Sequence, residues 1–451
     1  MNLPDTTIVA LSTPPGRGGI AVIRLSGPEA LACAREIFRM SSNSRIDPGR
    51  AILGTLGRGA GGKGLDSGYL TYHPRGGSYT GEDVVELSCH GSPVVVEQLI
   101  RELLAAGAVP AAPGEFTYRA VLNGKLDLAQ AEGVRDLIDA STPAAARAAR
   151  EQIRGNLSRR LASMKDQLVD IICDAEASLE FGDSEDEVFP GNEEVAGRLG
   201  EIALKVEAFV ASYRQGKLLR EGAQVILAGR PNVGKSSLFN TLLRFDRAIV
   251  SDEPGTTRDF ITERIDLGGI PVSLNDTAGL RSAPGGIEGA GIRHARQRIE
   301  QADLVLLLCP CDESPGEEER ELMQSDRTLL VASKTDRVAG ASNGWTDGAI
   351  KISVRTGEGI DRLREAIFRK LASAPSLSIE EALITDARHH EALRSCAAGL
   401  ARARRSIETK APDEITLVDL HAALSHLGEI TGAVRIEQIH ERIFSSFCIG
   451  K

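Results

Sequence analysis

The spacing of apolar residues changes along this chain, and each change marks a different kind of structure. Residues 1 to about 120 carry short apolar runs broken by tight turns. Thr7 to Leu11 and Gly19 to Ser26 read as strands, joined by the rigid-then-flexible loop Thr13-Pro14-Pro15-Gly16-Arg17-Gly18-Gly19. Ser26-Gly27-Pro28-Glu29 opens a helix expected to run through Met40. The glycine-rich stretch Gly57 to Gly64 reads as a hairpin tip. Ser78 to Asp83 is a turn leading into the strand Val84 to Gly91, and Pro93 to Ala106 is helical. From Leu126 to Leu179 apolar positions recur at helical spacing among Ala, Glu, Arg and Gln. That texture resumes from Ala196 to about Arg214 and again from Ile379 to the C-terminus.

Between the last two helical stretches the pattern turns to buried strands, each ending in polar residues. Ala223 to Ala228 is a short apolar run, read as a buried parallel strand, and Ser236 to Leu243 reads as a helix. The join, Gly229-Arg230-Pro231-Asn232-Val233-Gly234-Lys235-Ser236, fits G-x-x-x-x-G-K-[ST] in the strand–loop–helix context that defines a phosphate loop. Backbone N–H groups of Asn232, Val233, Gly234 and Ser237 are expected around phosphate oxygens. Lys235 is expected on the β- and γ-phosphates, and the Ser236 hydroxyl on Mg²⁺.

Four segments follow in the order a guanine-nucleotide switch requires. Gly255-Thr256-Thr257-Arg258, in a loop after the first helix, offers the Thr257 hydroxyl to Mg²⁺ while a γ-phosphate is present. Asp276-Thr277-Ala278-Gly279 ends the strand Ile270 to Asn275, with Asp276 placed for Mg²⁺ and the Gly279 N–H for the γ-phosphate. Ser333-Lys334-Thr335-Asp336 ends the strand Thr328 to Ala332; Asp336 can accept from guanine N1 and the exocyclic amine, a pair of donors adenine lacks. Ser353-Val354-Arg355, after Ala349 to Ile352, closes over the base. Together these make the chain a GTPase whose sites line the carboxyl edge of a parallel sheet. Leu280 stands where many GTPases carry a water-orienting glutamine, and leucine cannot do that work. The following loop, Arg281 to Gly291, holds one carboxylate, Glu288, among glycines that let the loop close.

Composition narrows the partners. The 451 residues allow two or three domains, and 42% hydrophobic content is enough for sizeable cores. A net charge of −10 makes any RNA contact the work of a local patch or a partner protein. Seven cysteines without a framework point to reduced thiols in a cytosol. Cys309-Pro310-Cys311 lacks the second pair of a metal site, and Glu180 to Glu187 reads as a solvated acidic loop. The N-terminus has no signal pattern, and no run approaches the ~18 apolar residues of a membrane span. His389, His390, His421 and His426 lack metal spacing and read as structural. Arg147, Arg150, Arg154, Arg159, Arg160 and Arg402, Arg404, Arg405 read as solvated helix faces and are the candidate contacts for tRNA or a partner.

Nearly the whole chain resembles the MnmE (TrmE) family of tRNA-modification GTPases. The resemblance rests on Pro14 to Gly19, Thr80-Gly81-Glu82-Asp83, Pro113-Gly114-Glu115-Phe116, Leu126 to Glu132, Asp276 to Arg281 and the terminal Phe444 to Lys451, which sets Cys448 three residues from the end. It implies a multidomain fold. An α+β folate-binding and dimerisation domain spans 1–120. An α-helical domain takes 121–216 and 374–451, interrupted by an inserted α/β Ras-like P-loop GTPase domain at 217–373. It also implies a cytoplasmic homodimer working with an MnmG-type flavoprotein. Together they add a carboxymethylaminomethyl group to C5 of the wobble uridine of certain tRNAs, with a tetrahydrofolate derivative (5,10-methylene or 5-formyl) as one-carbon donor. By position Glu288 matches the family's water-orienting glutamate, and Asn232 its K⁺ ligand, with carbonyls of Ser251 and Glu253 and a contact from Thr256. Arg24, Glu86, Lys125 and Lys451 match the folate site, and Cys448 becomes a candidate reactive thiol. The tail Cys-Ile-Gly-Lys fits a prenylation box poorly. Two departures stand out. Ser333 replaces the usual asparagine and is expected to lose contacts to both base and phosphate loop. Val354 replaces an alanine where only the backbone reads the base. The competing reading is a GTP-regulated RNA- or ribosome-associated switch module without modification chemistry, but no basic RNA-binding domain accompanies the nucleotide domain.

Overall fold

A computed structural model describes residues 5–41, 45–59, 64–181, 191–245, 248–249, 262–276, 297–337, 344–372, 384–432 and 450. The chain forms two compact units. The first comprises 1–135, 153–159 and 428–451; the second comprises 136–152 and 160–427.

The first unit is built on a seven-stranded sheet. Its strands are β1 (Ile8–Leu11), β2 (Gly18–Ser26), β3 (Phe38–Met40), β4 (Ile52–Leu56), β5 (Asp66–His73), β6 (Val84–Gly91) and β7 (Val109–Pro110), in spatial order β3-β4-β5-β6-β2-β1-β7. Every pairing is antiparallel except β1 with β7. Strand alternation divides the side chains between two faces. Val9, Ile23, Leu25, Val85 and Leu87 pack against α1 (Ala30–Ile37) and α2 (Pro93–Ala105) through Ala34, Ile37, Leu99 and Leu103. Ile8 and Ala10 face the other way, onto Phe116 of α3 (Glu115–Leu122). The helix expected to continue to Met40 stops at Ile37. Phe38 pairs with Leu56 and is buried there, so the ladder to β4 outcompetes three more residues of helix.

Helices α4 (Leu128–Asp139), α5 (Pro143–Ile153), α6 (Asn156–Phe181) and α7 (Asn192–Glu221) follow, as the helical spacing predicts. The second sheet has strands β8 (Ala223–Ala228), β9 (Ala248–Ile249), β10 (Thr262–Leu267), β11 (Ile270–Asp276), β12 (Leu304–Pro310), β13 (Thr328–Ser333) and β14 (Ile350–Lys351). Their order is β14-β13-β12-β8-β11-β10-β9. The first five run parallel, and β10 and β9 join antiparallel at the edge. Both faces of the centre are covered, which is why β12 is apolar throughout and β8 is apolar except at the exposed Gln224. Val225, Leu227, Leu304, Leu306 and Leu308 face a core completed by α8 (Lys235–Phe245) and α10 (Ile360–Ala372). Ile226, Ala228, Val305, Leu307 and Cys309 face a smaller one, with Leu322 and Met323 of α9 (Glu317–Met323) and Trp345 packed on it. The pattern reading had singled out neither β12, the neighbour of both β8 and β13, nor β10. Helices α11 (Ala387–Glu408) and α12 (Asp413–Thr431) complete the described chain. Although the whole sheet lies between them in sequence, α7 and α11 pack along each other.

Candidate functional site

Strand β8 delivers the chain into a loop whose backbone only particular residues can follow. Gly229 has φ 135°, and a Cβ there would lie 2.3 Å from the Leu308 carbonyl oxygen. Asn232 and Gly234 also have positive φ, 64° and 108°. Lys235 is buried and folds over its own loop, its Nζ donating to the Gly229 and Arg230 carbonyls at 2.8 Å each. Helix α8 begins at this lysine, so the positive end of its dipole meets the loop, the arrangement that receives phosphate. Ser236 Oγ donates to Asp276 Oδ2 at 2.6 Å, joining the start of α8 to the end of β11. A hydroxyl and a carboxylate side by side suit a hard cation such as Mg²⁺, with Ser236 as ligand and Asp276 behind it.

The segment Ser333 to Asp336 at the end of β13, expected from the sequence to read the base, is pinned to the phosphate loop. Ser333 is buried, and its Oγ donates to the Val233 carbonyl at 2.8 Å and lies 3.3 Å from that of Cys309. This corrects the expectation that serine loses contact with the phosphate loop: the loop comes close enough for a one-carbon side chain to reach it. Lys334, at φ 59°, donates through Nζ to the Asn232 carbonyl at 2.6 Å. Thr335 N–H reaches the Ile352 carbonyl at 3.3 Å. Asp336 accepts from Ser353 Oγ at 2.7 Å and from Arg355 Nε at 2.9 Å. The Ser353 hydroxyl, chiefly, holds the Asp336 carboxyl below its usual range; partial desolvation works against this, and a backbone N–H and Arg355 add to it. Val354 packs on the sheet core. The phosphate loop, Asp276, Ser333 to Asp336 and Ser353 therefore gather at the carboxyl ends of β8, β11, β13 and β14, the edge of a parallel sheet where ligands bind.

Sequence reasoning missed Arg230. Its Nε and Nη2 donate to Glu319 Oε2 at 2.9 and 2.7 Å, and Nη2 reaches the Ser314 carbonyl at 2.6 Å. This ties the phosphate loop to α9. Burial pushes the Glu319 carboxyl up, but Arg230 and the Gly316 N–H outweigh it and hold the group below its usual range. The run Glu317-Glu318-Glu319 at the start of α9 was the available signal.

In the first unit Arg24 and Glu86 face each other across β2 and β6, Nε to Oε1 at 2.9 Å and Nη2 to Oε1 at 2.8 Å. The tail returns here: the Gly450 carbonyl accepts from Ser12 Oγ at 2.9 Å and from Arg24 Nη1 at 3.4 Å. Lys125 sits apart from that pair in its contacts, its Nζ on the Gly76 carbonyl at 2.8 Å. In the same unit Arg119 bridges Glu82 at 3.1 Å and Glu115 at 3.0 Å, and Glu82 also accepts from Ser26 at 2.7 Å. The Pro14–Arg17 loop walls a cavity of about 590 Å³ with Ile20, Val96 and Ile100.

Ser251, Asp252, Glu253, Pro254, Gly255, Thr256, Thr257, Thr277, Ala278, Gly279, Glu288, Cys448 and Lys451 lie outside the described residues. Among the described residues no cluster of His, Cys, Asp and Glu could hold a metal ion, and no helix is long and apolar enough to cross a membrane. His389 is buried, His390 stacks on Tyr213 with centroids 4.1 Å apart, and His421 pairs with Glu176 at 3.0 Å. Arg402 and Arg404 are exposed and pair with Asp419 and Glu408.

Residues 7–125 match the family model for the GTP-binding protein TrmE N-terminus, and 128–448 match that for the MnmE helical domain. The tRNA modification GTPase MnmE of Koribacter versatilis is 43% identical over 100% of both chains. That of Natranaerobius thermophilus is 38% identical over the same shares, and that of Akkermansia muciniphila 40%. Among solved structures, the G domain of the T. maritima FeoB iron transporter is 26% identical, covers 33% of this chain and 98% of its own, and scores a TM of only 0.25. With both family models spanning it and relatives aligned along its full length, this chain belongs to the MnmE family of tRNA modification GTPases.

Proposed function

We propose that this GTPase is the K⁺-dependent nucleotide-hydrolysing subunit of a complex that adds a carboxymethylaminomethyl group to C5 of the wobble uridine of certain tRNAs. The observation that carries the reading is full-length kinship with tRNA modification GTPases, together with a phosphate loop and base reader fastened to one another. GTP lies along Asn232 to Ser237, Asp276 and Ser333 to Asp336, with Ser353 and Val354 over the base. Mg²⁺ is held by Ser236 and Thr257. K⁺ is held by Asn232, Ser251, Glu253 and Thr256, and supplies the charge neutralisation an arginine finger supplies elsewhere, worth roughly 10³–10⁵ in rate. Glu288 orients the attacking water.

The one-carbon donor is a tetrahydrofolate derivative bound by Arg24, Glu86, Lys125 and Lys451. The Arg24–Glu86 pair and the Gly450 carbonyl beside it support this reading, since an arginine and a carboxylate suit a folate's carboxylates and pterin donors. Cys448 is the reactive thiol near the folate. The chain works in the cytoplasm as a homodimer with an MnmG-type flavoprotein, in a heterotetramer that takes tRNA. Residues 217–373 act as a nucleotide domain inserted into a helical one, a reading the packing of α7 on α11 supports.

Steady-state GTP hydrolysis in KCl against NaCl at equal ionic strength, over a range of protein concentrations, tests the nucleotide part. Turnover that is faster in K⁺ and rises with protein concentration is expected. Equal slow rates in both salts would remove the cation and pairing roles. Calorimetry with 5-formyltetrahydrofolate tests the N-terminal part, and absence of heat from folded protein would end the folate assignment.

A further inference from the structure

Asp336 is approached from two sides. Ser353 is fully buried and reaches Oδ1 from within the protein. Arg355 reaches Oδ2 from solvent: its side chain is 76% exposed, against 16% for Asp336. The backbone that carries Arg355 is fixed by the turn that Ser353 N–H to Glu358 O (3.0 Å) and Gly357 N–H to Ser353 O (2.9 Å) close. Its long side chain is therefore the movable part.

A carboxylate offers about four acceptor positions, and Ser353 and Arg355 take one on each oxygen. Guanine also needs one on each oxygen, for N1–H and for the exocyclic amine. Lone pairs alone would let all four donors coexist; space does not. The base has to arrive from solvent, on the side the planar guanidinium covers. Ser353, bonding from inside, can stay and hold the carboxylate in orientation. Arg355 has to leave.

We propose that Arg355 is a built-in competitor for the guanine base, a gate on Asp336 that slows and weakens nucleotide uptake. The proposal rests on the reading of Asp336 as the guanine reader and adds a regulator to it. An exposed ion pair is weak and screened by salt, so the gate is soft, worth about two- to fivefold at low ionic strength and less as salt rises. Nucleotide exchange thereby gains a dependence on ionic strength that phosphate contacts do not give. Salt weakens attraction between protein and phosphates, but it opens this gate.

The test uses the full chain with a fluorescent GDP analogue. Association rate and Kd are measured for wild type, Arg355→Gln and Arg355→Ala, at fixed K⁺ with choline chloride raised from low to molar. Both variants are expected to associate about two- to fivefold faster than wild type at low salt, with the difference fading at high salt. Association at or below the wild-type rate at low salt would overturn the gate, and weaker binding would make Arg355 a clamp on the base instead. Asp336→Asn, assayed with guanine and xanthine nucleotides, separates the two levels. If Asp336 reads the base, the amide N–H meets the xanthine C2 oxygen and preference moves to xanthine. Failure of that shift removes the reading of Asp336 and the gate with it. A shift together with unaltered Arg355 variants removes the gate alone.

Discussion

Ser333→Ala removes one oxygen atom at the point where the end of β13, the proposed base reader, and the phosphate loop are joined. The Ser333 hydroxyl is buried and gives its hydrogen to the Val233 carbonyl at 2.8 Å; Val233 is itself 2% exposed. Alanine fits the space, so the change is the loss of a donor to a buried acceptor. An intramolecular hydrogen bond contributes about 0.5–1.5 kcal/mol net, and a buried acceptor left unsatisfied costs about 1–3 kcal/mol. The carbonyl's second lone pair and the small cavity left behind put the expected loss near the middle, about 1–2 kcal/mol. The chain's single tryptophan, Trp345, packs on the same sheet and reports its unfolding. A urea titration followed by Trp345 fluorescence should show a lower midpoint at unchanged slope. Because the bond also fixes the loop proposed to hold phosphate, GDP affinity should fall in the same variant, by up to about thirtyfold if the full loss appears in binding. A midpoint and a Kd both equal to wild type would mean that the hydroxyl does not fasten the two segments, and the account of why serine suffices at this position would fail.

Gly229→Ala places a Cβ 2.3 Å from the Leu308 carbonyl at φ 135°, so nucleotide binding by a titrated GTP analogue should be lost or nearly so; binding within a factor of two of wild type would mean the loop is not held against β12. Arg119→Met leaves buried Glu115 and half-buried Glu82 without their guanidinium, expected to cost about 3–5 kcal/mol, and faster hydrogen exchange in peptides of residues 5–135 would register it; unaltered protection would count against the network. Glu319 titrates below its ordinary value of 4.5 in the folded chain, so its contribution is present above that value and is lost as pH falls through the folded pKa. Glu319→Gln should therefore be less stable than wild type at neutral pH, with the gap closing on acidification. A gap that stays constant with pH would show that the Arg230–Glu319 pair is not its source.

The sequence by itself determined the local chemistry. The phosphate loop is legible because its glycines, lysine and serine must be contiguous: a helix N-terminus and a turn of one set length create that site without help from distant residues. Asp276, Ser333 to Asp336 and Ser353 were placed by the same logic, since each ends a strand whose apolar run is visible. What required tertiary structure was every contact between segments far apart in the chain. Helix α1 stops at Ile37 because β4 captures Phe38, a partner propensity cannot see. Strand β12, unbroken apolar residues with no polar signature of its own, became meaningful only as the neighbour of β8 and β13. Ser333 looks too short to reach the phosphate loop, and it does reach it because the Val233 carbonyl lies a hydrogen bond away. Arg230 and Arg355 are visible in the sequence only as members of their motifs, yet Glu319 and Asp336 hold them. Periodicity and motif spacing record what a residue does with its near neighbours in sequence. The partners of a buried hydroxyl or a guanidinium are chosen when the sheet brings strand ends together, and that choice leaves no mark on the order of the residues.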